Sequence, residues 1–181
     1  MSIKKSIFGT LADGKVIDLY TITNKSGASV SLQTLGAGIQ SLCMPDKNGK
    51  LDDVVLGFDN PQDYTNPDYG YQGLAVGRWA NRIRDGKFTF KSVEYHTPKN
   101  QGSWTLHGGG RFSFTPWEVE GYDDNSVTFK RFSPDGEDGF GGNFEIKVKY
   151  TLTESNALVI DYTVLSDTDT VANPTNHAYF N

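Results

Sequence analysis

The sequence predicts an all-β fold, an antiparallel β-sandwich. Three observations carry that expectation. Apolar and polar residues alternate with a period of two in segment after segment, short polar turns separate the segments, and no convincing helical stripe of apolar residues is present. Aromatic residues at 13% and 20 glycines point the same way, because aromatic side chains fit a pleated surface and glycine fits tight turns.

The elements follow in chain order. KVIDLYTIT (residues 15–23) and SVSLQTL (29–35) are the first alternating runs, parted by the turn Asn24-Lys25-Ser26-Gly27. Asn48-Gly49 and Asp85-Gly86 mark later turns, since Asn-Gly and Asp-Gly supply the positive φ that tight hairpins require. FTFKSVEY (88–95) reads as a further strand, and Asp123-Asp124-Asn125 separates WEVEGY (117–122) from SVTFKRF (126–132). The clearest case is Phe144, Ile146, Val148, Tyr150 and Leu152, alternating with Glu145, Lys147, Lys149 and Thr151. One face is apolar and the other largely charged, the pattern of a half-buried antiparallel strand. Beyond Glu154-Ser155-Asn156, ALVIDYTVL (157–165) is apolar on both faces at its start and is expected to be more fully covered. With no internal repeat, low-complexity linker or evident boundary, residues 1–181 are expected to lie in a single domain.

Composition narrows the function. A net charge of −5 argues against nucleic acid, which needs a clustered positive field. No apolar stretch is long enough to span a membrane, and MSIKKSIFGTLADG has no apolar core behind its basic start, so a cytoplasmic protein is expected. The single cysteine, Cys43, cannot form an internal disulfide and reads as a small buried apolar residue beside Leu42 and Met44. A neutral small molecule is the partner that fits.

Two long stretches break the alternation: residues 59–82 and 97–116, both rich in Gly, Pro, Asn and aromatics. Loops of that length in a compact fold usually serve function. Flat apolar faces among a few hydrogen-bonding groups are how a sugar site is commonly composed. A third departure is ANPTNHAYFN (172–181).

These stretches hold the candidate residues. His107 lies in LHGGG, where glycines let a ligand or another backbone approach the imidazole. The triplet resembles an esterase oxyanion motif, but no G-x-S-x-G nucleophile elbow occurs. His177 lies in NPTNHAYFN, with Pro174 fixing the local backbone, Asn173 and Asn176 available for local turns, and Tyr179 and Phe180 as apolar walls. An imidazole held this way suits proton transfer near neutrality. Arg78, Arg82 and Arg84 share one face if GRWANRIRDG is extended, as three ordinary exposed arginines. No metal is expected, because His96, His107 and His177 lack close His or Cys companions. PDGEDGFGG (134–142) misses the calcium-loop spacing and reads as a solvated turn cluster. No phosphate-binding or dinucleotide glycine motif is present, and no cofactor is expected.

LGAGIQSL (35–42), VVLGFDN (54–60), AVGRWANRI (75–83), NQGSWTLHGG (100–109) and NPTNHAYFN (173–181) together resemble the galactose mutarotase (aldose 1-epimerase) family. The resemblance covers nearly the whole chain, and the motifs stand in the family's order. It implies a large antiparallel β-sandwich and interconversion of the α and β anomers of free hexoses such as galactose or glucose, without a cofactor. It further implies that His177 protonates the ring oxygen and that His107 hydrogen-bonds nearby. Arg82 and Asn81 would bind sugar hydroxyls, and Tyr179 would line the pocket.

Family members continue beyond the YFN sequence, and their later portion supplies an acidic sugar-binding residue and the glutamate that acts as base. No residue of this sequence takes either role; Glu94, Glu118, Glu137 and Glu145 lie outside the matched motifs. The chain is therefore expected to be the amino-terminal part of such an enzyme, with sheet edges unpaired, poor solubility and little activity alone. Two alternatives stand beside this reading. One is a non-catalytic carbohydrate-binding sandwich; the other is a relative acting on hexose 6-phosphates, for which Arg78, Arg84 and Arg111 would supply positive charge.

Overall fold

Residues 2–53 build a five-stranded antiparallel sheet in the computed structural model, which describes residues 1–181. Its strands are β1 (Ser2–Thr10), β2 (Val16–Thr23), β3 (Ser29–Gln33), β4 (Gly38–Pro45) and β5 (Leu51–Asp53), paired in sequence order. Across β2 and β3, Tyr20 faces Leu32 and Ile22 faces Val30, and all four are buried. Five two- to four-residue strands follow inside the irregular middle of the chain: β6 (Ala75–Val76), β7 (Arg82–Ile83), β8 (Lys87–Phe90), β9 (Val93–His96) and β10 (Thr105–Leu106).

A second antiparallel sheet comprises β11 (Glu118–Tyr122), β12 (Ser126–Ser133), β13 (Phe144–Leu152) and β14 (Leu158–Ser166), again in sequence order. A last short strand, β15 (Thr175–Asn176), leaves this sheet and pairs with β6. The apolar face of β13 is what the alternation predicts: Phe144, Ile146, Val148, Tyr150 and Leu152 are each 0% exposed. They join Val127 and Phe129 from β12 and Tyr20, Ile22, Val30 and Leu32 from the first sheet in one buried cluster. The two sheets therefore pack face to face as a β-sandwich. Burying each large apolar side chain stabilises the fold by roughly 1.5–3 kcal/mol.

Four local expectations are corrected. FTFKSVEY is a hairpin, with β8 and β9 turning at Lys91 and Ser92, whose φ values are 48° and 64°. The alternation shifts phase there, from Phe88 and Phe90 to Val93 and Tyr95, and two polar residues in succession are its only mark in the sequence. ALVIDYTVL is not covered on both faces. It lies at a sheet edge as β14, with Val159 41% and Leu165 59% exposed. Cys43 is only half-buried. PDGEDGFGG is not a solvated cluster: Glu137 accepts from Arg131 at 2.7 and 2.9 Å and from the Ser133 hydroxyl, with little of the ion pair exposed. The N-terminal residues, which gave no element in the sequence, form the nine-residue strand β1.

Candidate active site

The site is assembled by two short pairings that join distant parts of the chain. Thr175 and Asn176 of β15 pair with Val76 and Ala75 of β6, while Thr105 and Leu106 of β10 pair with Ile83 and Arg82 of β7. The two irregular stretches and the NPTNHAYFN segment thereby meet at one place. There they line a cavity of about 560 Å³ with Gly70, Ala80, Asn81, Arg82, Gln101, Leu106, His107, Thr175, His177 and Tyr179.

His107 follows β10 directly in a left-handed conformation, φ 49°, and is followed by three glycines also at positive φ. Gly108 is required by space as well as by φ: a Cβ there would sit 2.1 Å from the Gly77 carbonyl oxygen. The His107 N–H donates to the Asn81 carbonyl at 3.1 Å, and the Asn81 N–H donates to His107 Nδ1 at 3.1 Å. With Nδ1 accepting, the imidazole proton of the neutral ring sits on Nε2. Burial, together with the charges of His177 and Arg82, lowers the His107 pKa to about 4. The ring is thus a neutral hydrogen-bond donor near pH 7.

His177 is held by its own backbone. Its N–H donates to the Leu74 carbonyl at 2.9 Å, and its carbonyl accepts from the Gly73 N–H at 3.1 Å. Beside it, the Asn176 amide donates to the Gly73 carbonyl at 2.7 Å and to the Tyr150 hydroxyl at 3.1 Å. Asn176 Oδ1 accepts from the Ala178 N–H at 2.8 Å. Tyr150 is a core residue, so this bond ties the site to the sandwich interior. Asn173 acts through its backbone, donating to Arg78 and accepting from Ala80.

The two imidazoles meet edge to face with ring centroids 4.8 Å apart, and Tyr179 lies 5.0 Å from His177. The Tyr179 hydroxyl donates to the Gly70 carbonyl at 3.1 Å, which fixes this wall of the cavity. Arg82 is exposed; its Nε donates to Gln101 Oε1 at 2.8 Å and one terminal nitrogen donates to Asn81 Oδ1 at 3.3 Å. Asn81, at φ 69°, also accepts the Arg82 N–H on the same oxygen. All five sequence candidates, Asn81, Arg82, His107, His177 and Tyr179, line one cavity.

Two contributors escaped the sequence reading. Gln101 orients the Arg82 fork, and Tyr71 packs 4.7 Å from His107 and 6.3 Å from His177. Gln101 sits inside a matched motif, whereas Tyr71 is one aromatic among many in its loop and carried no distinguishing signal. Arg78, Arg84 and Arg111 do not line the cavity. Arg78 is 2% exposed rather than a surface residue, Arg84 lies over the Trp104 ring, and Arg111 approaches Asp138. The third histidine, His96, sits on β9 beside Glu94. A neighbouring groove of about 390 Å³ shares Arg82 but neither cavity histidine. No group of three or more His, Cys, Asp or Glu side chains is placed to hold a metal, and no helix is long and apolar enough to cross a membrane.

Residues 18–181 match the Aldose 1-epimerase family profile. The chain belongs to the aldose 1-epimerase family. It is 38% identical over 183 residues to a galactose mutarotase of Rattus norvegicus, an alignment covering 100% of this chain and 52% of that protein. An aldose 1-epimerase of Haemophilus influenzae is 38% identical over 171 residues, covering 93% of this chain and 49% of the relative. Among solved structures, an aldose epimerase homologue from C. elegans superposes with a TM-score of 0.85 at 37% identity, over 90% of this chain and 50% of that one. A galactose 1-epimerase from Lactobacillus acidophilus gives 0.85 at 27% identity, over 100% and 53%. This aldose 1-epimerase family chain spans about half the length of the relatives it matches, and its sandwich is the galactose mutarotase-like fold.

Proposed function

We propose that the cavity binds a free hexose in its pyranose form and supplies the acid side of anomer interconversion. The observation that carries this reading is the meeting of His107 and His177 at 4.8 Å in a cavity that also holds Arg82, Asn81 and Gln101. Opening a cyclic hemiacetal needs a proton delivered to the ring oxygen and a proton taken from the C1 hydroxyl. Rotation about C1–C2 and reclosure on the other carbonyl face invert the anomer; His177 then recovers its proton from the ring oxygen and the base returns its proton to the C1 oxygen. His177 is the acid in this scheme. His107 keeps its Nε2 proton and donates a hydrogen bond to oxygen as charge develops there. Arg82, held by Gln101 and Asn81, presents its remaining donors to sugar hydroxyls, and Tyr179 gives the ring an apolar face.

None of the ten residues lining the cavity is a carboxylate, so the base that takes the C1 proton is not among them. The same observation favours a second reading, sugar binding without turnover. Polarimetry of freshly dissolved α-galactose decides between them, with saturable binding followed in parallel. The epimerase reading expects anomer exchange above the uncatalysed rate that falls back toward it in His177→Asn. Saturable binding with exchange at the uncatalysed rate leaves only the binding function. Unchanged exchange in His177→Asn removes His177 as the acid.

A further inference from the structure

Arg78 is the largest fully buried side chain in the molecule, and it touches no sugar-facing surface. Its guanidinium spends all five N–H donors on the β12–β13 connection. Nε donates to the Ser133 hydroxyl at 3.0 Å, and the terminal nitrogens donate to the carbonyls of Ser133 (2.9 Å), Pro134 (2.9 Å), Gly141 (3.1 Å) and Gly142 (2.9 Å). Phe144 closes one face of the ion at 4.9 Å. No carboxylate is among these partners. A Met or Leu would fill the volume without the several kcal/mol that desolvating an ion costs. What the guanidinium adds is a rigid fork of donors that fixes where the residue-78 backbone lies.

That backbone carries both histidine segments. The Gly77–Arg78 peptide lies against Gly108, whose absent Cβ would be 2.1 Å from the Gly77 oxygen and 2.8 Å from the Arg78 nitrogen. This seats the turn of His107. The Arg78 carbonyl accepts from the Asn173 N–H at 2.8 Å, and the Asn173 carbonyl accepts from the Ala80 N–H at 2.9 Å, which sets the segment that leads to His177.

We propose that Arg78 is a positioning residue for both imidazoles, locking the His107 turn through its peptide and the His177 segment through its carbonyl. The proposal deepens the epimerase reading and rests on it for what the imidazoles do, not for where they sit. Burial lowers the Arg78 pKa, as such a site requires.

Long-range ¹H–¹⁵N spectra of the imidazoles provide the test and need no turnover. In the native chain His107 should show the Nε2–H tautomer and titrate far below an ordinary histidine. Arg78→Lys cannot serve five acceptors. It should mix the tautomers, raise the His107 midpoint by about one unit or more and move the His177 signals, with His96 unchanged. Ser133→Ala removes one acceptor and should give a smaller change of the same kind, which keeps the test available if Arg78→Lys does not fold. A folded Arg78→Lys or Ser133→Ala protein with native His107 and His177 spectra overturns the proposal. Failure of mutarotation would count against the epimerase reading alone.

Discussion

Acidification should loosen this fold through His107 in particular. Its pKa is about 4 in the native state against about 6.5 in an unfolded chain. Above pH 6.5 the ring is neutral in both states and its full contribution to stability is present. As pH falls below that, the unfolded chain takes the proton first, so native stability declines until pH reaches about 4, where the native ring also protonates. A difference of ~2.5 units at 1.36 kcal/mol each gives about 3 kcal/mol lost across this window. Neighbouring groups also titrate. Burial and then Glu137 raise the Asp138 pKa, which adds stability on acidification. Burial pushes Glu137 upward, but bonds from Arg131 and Ser133 outweigh it and leave the pKa lowered, which removes stability. The informative quantity is therefore the difference between the native chain and His107→Asn, which has no proton to gain. Urea unfolding at intervals from pH 7.5 to 4.5 should show the native chain losing about 2.5 kcal/mol more than the variant, most of the full difference. Equal losses in the two proteins would refute the idea that His107 is held neutral by burial.

Gly108→Ala, with φ 67° and a Cβ meeting the Gly77 oxygen, should destabilise by at least ~1–3 kcal/mol in thermal melts and disturb the His107 imidazole signals. Glu137→Ala strands the Arg131 charge, which is 8% exposed, and should cost about 3–5 kcal/mol by urea unfolding. Conversely, Lys91→Asn with Ser92→Gly relieves two positive-φ positions in the β8–β9 turn. It should raise stability by roughly 0.5–1 kcal/mol, read as a higher urea midpoint.

Residue by residue, legibility tracked how local the cause was. The inward face of β13 could be read directly, because a side-chain period of two shows in five consecutive alternations. The β8–β9 hairpin could not, since Lys91 and Ser92 reverse the chain without the Gly or Asn that usually signals positive φ. Glu137 and Arg78 were misplaced for a different reason. A charged residue reads as solvent-exposed unless its partners are known: those of Arg78 lie up to 64 residues away, and those of Glu137, only six and four residues back, meet it through a loop that no periodicity describes.

Sequence alone determined the strand faces, the turn chemistry and the residue types of the candidate site, because each depends on neighbours within a few positions. Only tertiary structure decided that His107 meets His177, that Tyr71 and Gln101 belong beside them, and that Arg78 lies beneath. Those facts depend on pairings such as Asn176 with Gly73, 103 residues apart. Contacts across that separation are set by how two sheets bury their apolar faces together, and no local periodicity encodes that.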